Sequence, residues 1–347
     1  MEQLHSQKTF PKKRNWRLIR NWFVALSVWV GFAIMIIFVV HSLYHLIWIV
    51  PLYVLGVITL RVFRLIHPRA IDPVPFCYVR WPLTPDSPRT NSCRFPKIDP
   101  ASIPDMKPIT IENRAGLTLA GHFISGNNRA IIIMLHGAGT EGMNVLPQAI
   151  ALHNRGYNIL LMDLRAHGKS EGDTSTLGWS ETDDLLDTVG YVQKHDGIDA
   201  DKIGVFGFSM GGQIGLRTSA KCQAIRGIVA DSTSPASLED YRGDSNNPWR
   251  WVIFGLNFFT IRLTEWMIGR KAPTGVLKSV EEISPRPMLL ISTGRGKERL
   301  WGNRIFKAAR EPKDIWEIPE ALHGEGFKLY PEKYSEKLGS FFDEILF

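Results

Sequence analysis

The sequence contains few cysteines and one long stretch without any charged residue. Only three of its 347 residues are cysteine, and none has the spacing of a zinc site. Residues 21–60 contain no Asp, Glu, Lys or Arg, although these types make up 22% of the chain. The first absence excludes a disulfide-built or zinc-built fold, and we expect neither a metal ion nor a cofactor. The second absence indicates a membrane segment.

The uncharged stretch is too long for one membrane span. As an α-helix its 40 residues would measure roughly 60 Å, about twice the ~30 Å hydrocarbon core of a bilayer. We therefore predict a transmembrane anchor over 21–66 with two spans, at about 22–40 and 43–60; a single span is the alternative. A secretory signal peptide is disfavoured because the run is too long and no small-residue cleavage site follows it.

The positive charge of the chain is concentrated around this stretch. Residues 1–70 carry nine Lys or Arg and one acid, so the overall formal charge of +7 leaves a net −1 for the rest of the chain. The basic tail at 1–20 and the basic residues after the anchor therefore predict a membrane flank and no nucleic-acid partner. Because basic flanks prefer the cytoplasm, a hairpin would leave the remainder of the chain cytoplasmic.

Residues 67–106 predict an extended connector, and residues 107–347 predict an α/β domain. Ten prolines between 68 and 108 exclude long helices there. Apolar runs typical of buried strands then alternate with stretches of helical period, which predicts a mostly parallel sheet covered by helices on both faces. The predicted strands are 107–113, 117–124, 130–135, 157–163, 202–208, 225–231, 287–292 and 314–318. The predicted helices are 143–155, 181–194, 210–220, 299–310 and 331–346.

Ser209 is the candidate nucleophile. It lies in a Gly-x-Ser-x-Gly motif between a predicted strand and a predicted helix. A serine hydroxyl is a poor nucleophile unless it is exposed beside a base, and a sharp strand-to-helix turn flanked by glycines exposes it. A chance Gly/Ser turn is the alternative interpretation, and the flanking elements argue against it.

Two backbone N–H groups are candidates for an oxyanion hole. The sequence His136-Gly-Ala138-Gly follows the first buried strand, where its glycines suit an exposed turn. The N–H groups of Ala138 and Met210 could together stabilise a developing negative charge, which is worth about 10²–10³ in rate for each donor. His136 itself is interpreted as a residue that orders its loop.

His323 is the candidate general base. It is the one histidine after Ser209, and it lies in a loop just past the last predicted strand. The other histidines belong to the anchor, to helix faces or to the first hairpin, and His167 is interpreted as ordering its own loop. Since catalytic groups of such sheets collect at the carboxyl ends of strands, His323 and Ser209 are expected to meet.

These motifs resemble those of the α/β-hydrolase family over residues 107–347. The resemblance implies acyl transfer to water through an acyl-enzyme on Ser209, with the chain order Ser, acid, His. The sequence departs from the family at the acid, since no Asp follows the strand at 287–292. Glu298 is the nearest carboxylate, and Asp231 at the end of the preceding strand is the alternative.

The substrate is open at this point. A carboxylic ester, a thioester, a glycerolipid or a peptide bond would suit the same residues, and the anchor favours lipid-like acyl substrates. The aromatic-rich stretch at 232–286 is expected to form a short helical lid, although an aromatic stripe can equally be core or a surface resting on the bilayer.

Two other functions compete with hydrolysis. Gly137, Gly139 and Gly142 form a Gly-x-Gly-x-x-Gly motif, and Asp163 ends the next strand, as in an NAD-type oxidoreductase. That interpretation leaves Ser209 and His323 unexplained. A non-catalytic hydrolase fold that acts as a binding module is the third possibility, supported only by the uncertain acid.

Overall fold

The coordinates are a computed structural model that describes most of the chain after residue 105. The described residues are 26–27, 30–39, 52–60, 62–63, 66, 103, 105–242, 250–293 and 297–347. By its internal contacts the chain divides into two units, Met1–Ile58 and Thr59–Phe347. The second unit contains the complete sheet.

The predicted membrane anchor is described only in part. Residues 26–27, 30–39 and 52–60 are helical, and the rest of the two predicted spans falls outside the described residues. Within the residues that can be described, no helix combines the length and apolar character that crossing a membrane requires. The anchor therefore stays a prediction. Most of the predicted connector at 67–106 also lies outside the described residues.

The end of the predicted anchor contributes to the second unit. Val62 and Ile66 are both fully buried, and they are spaced as neighbours on one face of a helix. The carbonyl of Ile66 accepts a hydrogen bond from the Ser175 N–H at 2.7 Å. Val62 and Ile66 therefore belong to the packed second unit, although they lie within the predicted anchor.

Eight strands form one sheet in the order β1-β2-β4-β3-β5-β6-β7-β8. The strands are β1 (Met106–Glu112), β2 (Thr118–Ile124), β3 (Ile131–Leu135), β4 (Asn158–Met162), β5 (Ile203–Phe208), β6 (Ile225–Asp231), β7 (Met288–Thr293) and β8 (Lys313–Ile318). Pairs involving β2 are antiparallel and all others are parallel. The predicted strands and the mostly parallel sheet are confirmed, because uninterrupted apolar runs suit strands buried on both faces.

Helices cover both faces of this sheet. They are α1 (Leu146–His153), α2 (Glu181–Val192), α3 (Met210–Lys221), α4 (Leu238–Tyr241), α5 (Arg250–Ile268), α6 (Val276–Val280), α7 (Lys297–Ala308), α8 (Gly326–Leu329) and α9 (Pro331–Leu346), with a short 3₁₀ helix at Gly142–Val145. Apolar residues of α2, α3, α6 and α7 pack on one face. Apolar residues of α1 and α9 pack on the other. The described part of the region at 232–286 contains α4, α5 and α6, and its role as a lid stays a prediction.

The carboxyl ends of β5, β6 and β7 lie level with one another. Phe208 pairs with Asp231, and Asp231 pairs with Ile291. Segments that follow these strands therefore emerge side by side at one edge. This register places the residues after β5 and β7 beside the loop that follows β8.

Candidate active site

Ser209 forms a sharp turn between β5 and α3. Its backbone has φ 53° and ψ −110°, a conformation that L-residues adopt only under strain. The flanking glycines are required by close backbone contacts. A Cβ on Gly207 would lie 2.3 Å from the Gly211 carbonyl oxygen, and one on Gly211 would lie 2.5 Å from the Leu135 carbonyl oxygen. The strained turn holds the Ser209 hydroxyl at the end of the sheet.

His323 reaches Ser209 from the loop after β8. Its Nε2 lies 3.0 Å from Ser209 Oγ, within hydrogen-bond distance. The loop packs on Phe208, whose ring centroid is 5.1 Å from that of His323. Gly324 follows with φ +76°, and a Cβ there would lie 2.6 Å from the Phe208 ring. The residue before the serine thus helps to place the imidazole.

Glu298 approaches the other nitrogen of the same imidazole. It lies in the first turn of α7, and its Oε1 is 3.1 Å from His323 Nδ1. Its side chain is 40% exposed. The structure thus places the hydroxyl, the imidazole and this carboxylate in succession, with the Glu298–His323 contact at ion-pair distance. A carboxylate in this position can orient a general base.

Asp231, the alternative acid, faces a different part of the molecule. It is fully buried; its Oδ2 accepts a hydrogen bond from the Tyr334 hydroxyl and its Oδ1 one from Ser232 Oγ, both at 2.7 Å. Burial raises the pKa of the Asp231 carboxyl. Ser232 Oγ also contacts the Thr293 hydroxyl, which in turn accepts a long hydrogen bond of 3.4 Å from the Gly324 N–H. Asp231 therefore supports the base loop through intermediaries and lies outside the Ser209–His323–Glu298 line.

The two candidate oxyanion donors come from the ends of β3 and β5. Met210 is the first residue of α3, where backbone N–H groups have no partner inside the helix. Ala138 lies in the turn after β3, next to Gly137, where an added Cβ would lie 3.3 Å from Ser209 Cβ. The turn that contains Ala138 therefore packs directly on Ser209. The assignment of Ala138 and Met210 as oxyanion donors stays a prediction.

Comparison with known proteins agrees with this architecture. A family model described as alpha/beta hydrolase fold matches residues 130–264. YfhR of Escherichia coli (strain K12) is 26% identical over 65% of this chain and 76% of its own length. YqkD of Bacillus subtilis is 24% identical over 68% of this chain and 78% of its own. The residues matched by the family model include the turn at Ser209.

Solved structures show the same arrangement of strands. The Pyrococcus furiosus esterase Pf2001 superposes with a TM-score of 0.55 at 25% identity, covering 70% of this chain and 93% of that one. The hypothetical protein PA2218 from Pseudomonas aeruginosa gives a TM-score of 0.55 at 19% identity, covering 70% and 95%. The chain has the α/β-hydrolase fold.

Two histidines outside the Ser209–His323 pair order the loops of this hydrolase fold. His136 Nε2 accepts the Leu164 N–H at 3.0 Å, so its Nδ1–H donates to the Gly137 carbonyl at 2.7 Å. His167 Nε2 accepts the Gly139 N–H at 3.1 Å in the same manner. Burial lowers the pKa of His136 to about 3, which keeps it neutral. These contacts agree with the loop-ordering interpretation of both residues.

The glycine motif after β3 does not present a dinucleotide site. In such a site the acid at the end of the next strand binds the ribose hydroxyl. Here Asp163 accepts the Gly142 N–H at 2.7 Å with one oxygen and the Lys169 N–H at 2.8 Å with the other. Its carboxylate is used to join two loops of the hydrolase fold. Among the described residues there is also no cluster of three or more potential metal ligands.

Sequence reasoning missed the buried support formed by Tyr334, Ser232 and Thr293. The amphipathic pattern of α9 indicates that Tyr334 faces the core, but no local signal pairs it with Asp231, 103 residues earlier. The contact depends on which face of β6 carries Asp231. The orientation of β6 depends on the tertiary structure, so it cannot be deduced from the residues next to Asp231 in the sequence.

Proposed function

We propose that this chain is a serine hydrolase that cleaves carboxylic esters. One observation carries the proposal: Ser209 Oγ, both nitrogens of His323 and Glu298 Oε1 follow one another at 3.0 and 3.1 Å. The α/β-hydrolase fold and the strained turn at Ser209 support it. A non-catalytic binding module would not require a histidine within hydrogen-bond distance of a half-buried serine in a strained turn.

The proposed reaction has two stages. Ser209 Oγ attacks the substrate carbonyl carbon while His323 Nε2 takes its proton, and the resulting oxyanion is stabilised by the N–H groups of Ala138 and Met210. The C–O bond to the alcohol then breaks, and His323 returns the proton to the leaving oxygen. In the second stage water attacks the acyl-enzyme with His323 again as base, which releases the acid and restores Ser209.

The proposed preference for esters rests on the likeness of the fold to an esterase and on the proposed membrane anchor, which would bring lipid-like esters close to the protein. A thioester or an amide would pass through the same intermediate, and only the leaving group would differ. We therefore propose a small-molecule or lipid-like acyl ester as substrate. A panel of esters, thioesters and aminoacyl amides of graded acyl length, tested on the full chain, would rank these classes.

We also propose that the protein associates with a membrane through its N-terminal segment, with the hydrolase domain in the cytoplasm. The uncharged stretch at 21–60 and its basic flanks support the anchor. In the second unit, α5 exposes three large aromatic side chains: Trp251 at 70%, Phe259 at 61% and Trp266 at 79%. Tryptophan is favoured at the membrane–water interface, so the exposed aromatic side chains of this helix support contact with a lipid surface.

Membrane association can be tested by fractionation. The full chain should remain with the membrane after washing at high salt and at alkaline pH, and it should be released only by detergent. Protease accessibility of the hydrolase domain in sealed vesicles of known orientation tests the cytoplasmic placement. Release of the intact chain by salt alone would contradict the anchor.

Covalent labelling tests the serine mechanism. A fluorophosphonate probe should label the full chain, and labelling should disappear in Ser209→Ala while it persists in Ser340→Ala, a control on the outer face of α9. Hydrolysis should fall as the pH drops toward about 6, because imidazole gains a proton in this range and cannot then act as base. Absence of labelling in the folded wild-type chain would support the binding-module alternative.

A further inference from the structure

A small cavity lined by both polar and apolar side chains lies beside Glu298. It is enclosed by the ends of β6 and β7 and by α7, and it has room for about one water molecule. Its lining includes Thr233, Ser292, Glu298, Trp301 and Gly302. The cavity therefore borders the carboxylate that contacts the base.

Four buried polar atoms of this lining have no hydrogen-bond partner among the residues that the structure describes. They are Thr233 Oγ1, Ser292 Oγ, Glu298 Oε2 and Trp301 Nε1. Ser292 is 6% exposed and Trp301 is 8% exposed, so bulk water does not satisfy either side chain. Leaving a buried donor or acceptor unsatisfied costs free energy, and four in one place need a common explanation.

We infer that the cavity is a binding site for an ordered water molecule that holds the orienting carboxylate. The inference rests on the proposed function, because it gives Trp301 and Ser292 a role through Glu298. The Trp301 indole can only donate, so the water accepts from Nε1. The water can then donate one proton to Glu298 Oε2 and the other to one of the two hydroxyls, and it can accept from the remaining hydroxyl.

This arrangement matches the bonding capacity of each partner. A buried water makes about three hydrogen bonds, with a range of two to four, and this site offers four polar partners. The carboxylate gains a charge-assisted hydrogen bond on the oxygen that does not face His323. With both oxygens engaged, Glu298 keeps its Oε1 directed at His323 Nδ1. Trp301 and Ser292 are thus positioning residues.

Gly302 sets the approach of α7 to Ser292. A Cβ at this position would lie 2.6 Å from Ser292 Oγ. An alanine would therefore force the hydroxyl to move, although alanine is otherwise the better helix former. Gly302→Ala consequently tests the geometry of the site without removing any polar group.

Steady-state kinetics of the full chain on an ester test the inference. Trp301→Phe removes the indole N–H, and Ser292→Ala removes one hydroxyl. Each should lower kcat about 10-fold with little change in KM, because a poorly held water weakens its hydrogen bond to the Glu298 carboxylate, and hydrogen bonds to charged groups are worth about this much. Gly302→Ala should show a loss in the same direction. In the two deletion variants the pH at which kcat/KM falls by half should also move downward, because a less well-held carboxylate supports protonated His323 less.

Ser219→Ala is the matched control. Ser219 Oγ is also buried and has no partner in the described part of the chain, but it lies ten residues into α3 and outside the cavity. Loss of this hydroxyl should leave kcat and the pH profile unchanged. If Trp301→Phe and Ser292→Ala behave like Ser219→Ala, the inference is wrong.

A crystal structure of the full chain provides a readout that does not depend on activity. Electron density for a water within hydrogen-bond distance of Trp301 Nε1 and Glu298 Oε2 is the expected result. An empty cavity, or a side chain turned into it, would overturn the inference even in an active enzyme. If the water is present but fluorophosphonate does not label the folded chain, the water site is confirmed. The proposed function is then refuted.

Discussion

Two carboxylates end up near the same edge of the sheet, and their surroundings differ in every respect. Glu298 is 40% exposed, lies in the first turn of α7 and contacts the histidine of the candidate site. Asp231 is fully buried at the end of β6 and contacts Tyr334 and Ser232. Glu298 contacts the imidazole directly, whereas Asp231 is part of the core and interacts with His323 through its charge without a direct contact.

The alternation of side chains along β6 explains the difference. Ile228 and Ala230 pack in the core on the side of α3, and Val229 packs in the core on the side of α9. Asp231 follows the same alternation and therefore lies on the face that carries Tyr334. Glu298 comes after β7 has ended, in the first turn of α7, where the helix can direct it toward His323. Proximity in sequence to a strand end is therefore not enough to identify an orienting acid.

The sharpest test of this comparison is Glu298→Gln. The amide keeps the shape but cannot support a positive imidazole, so we expect kcat for ester hydrolysis to fall by about 10²–10⁴. KM should change little, because Glu298 is not expected to bind substrate. Glu282→Gln, an exposed position before β7, is the control and should retain wild-type kcat. Wild-type activity in Glu298→Gln would remove this residue from the proposed mechanism.

A second test moves to the buried carboxylate and measures stability. Tyr334→Phe removes the hydroxyl that donates to Asp231, and we expect the free energy of unfolding at neutral pH to fall by about 2 kcal/mol. Chemical denaturation would measure this change. Tyr330→Phe, an exposed position one turn earlier, should stay within about 0.5 kcal/mol of the wild type.

The pH dependence of this deficit has a definite sign. Burial raises the pKa of Asp231, so the folded state binds a proton more readily than the unfolded state. The deficit of Tyr334→Phe reflects mainly a charged carboxylate that has lost a donor. It should therefore be largest at neutral pH and shrink as the pH falls and Asp231 becomes protonated. A deficit that grows on acidification would contradict this account.

The fold was largely predictable from sequence, because its signals are local and repeated. Each buried strand is a continuous apolar run, and the run at Ile131–Leu135 is buried at every position. The turn at Ser209 was predictable for a similar reason, since the close contacts of Gly207 and Gly211 leave no room for a larger residue. Such features depend on a few neighbouring residues and on the backbone.

Which of the two candidate acids contacts His323 was not predictable in the same way. The orientation of Glu298 depends on where α7 begins after β7, and that of Asp231 depends on which helix covers one face of the sheet. The partners of Asp231 come from positions 232 and 334, and the cavity beside Glu298 is formed by residues of β7, α7 and the segment after β6. These contacts join distant segments, and no local pattern records them. The sequence therefore left two acids open, and the structure separates them by their contacts.

The smallest expected effect comes from Asp231→Asn. Asparagine has nearly the same volume, its oxygen can accept from Tyr334, and its amide can donate to the Ser232 hydroxyl, so the buried contacts are preserved in number. Because the hydrogen bonds from Asp231 reach the base loop through Ser232 and Thr293 and not directly, we expect kcat/KM to remain within about threefold of the wild type, which corresponds to less than about 0.7 kcal/mol. The measurement is the same ester assay that is used for Glu298→Gln, with folding checked by thermal unfolding. A folded Asp231→Asn protein that loses about 100-fold in kcat would reverse the comparison, since it would make the buried carboxylate the one on which His323 depends.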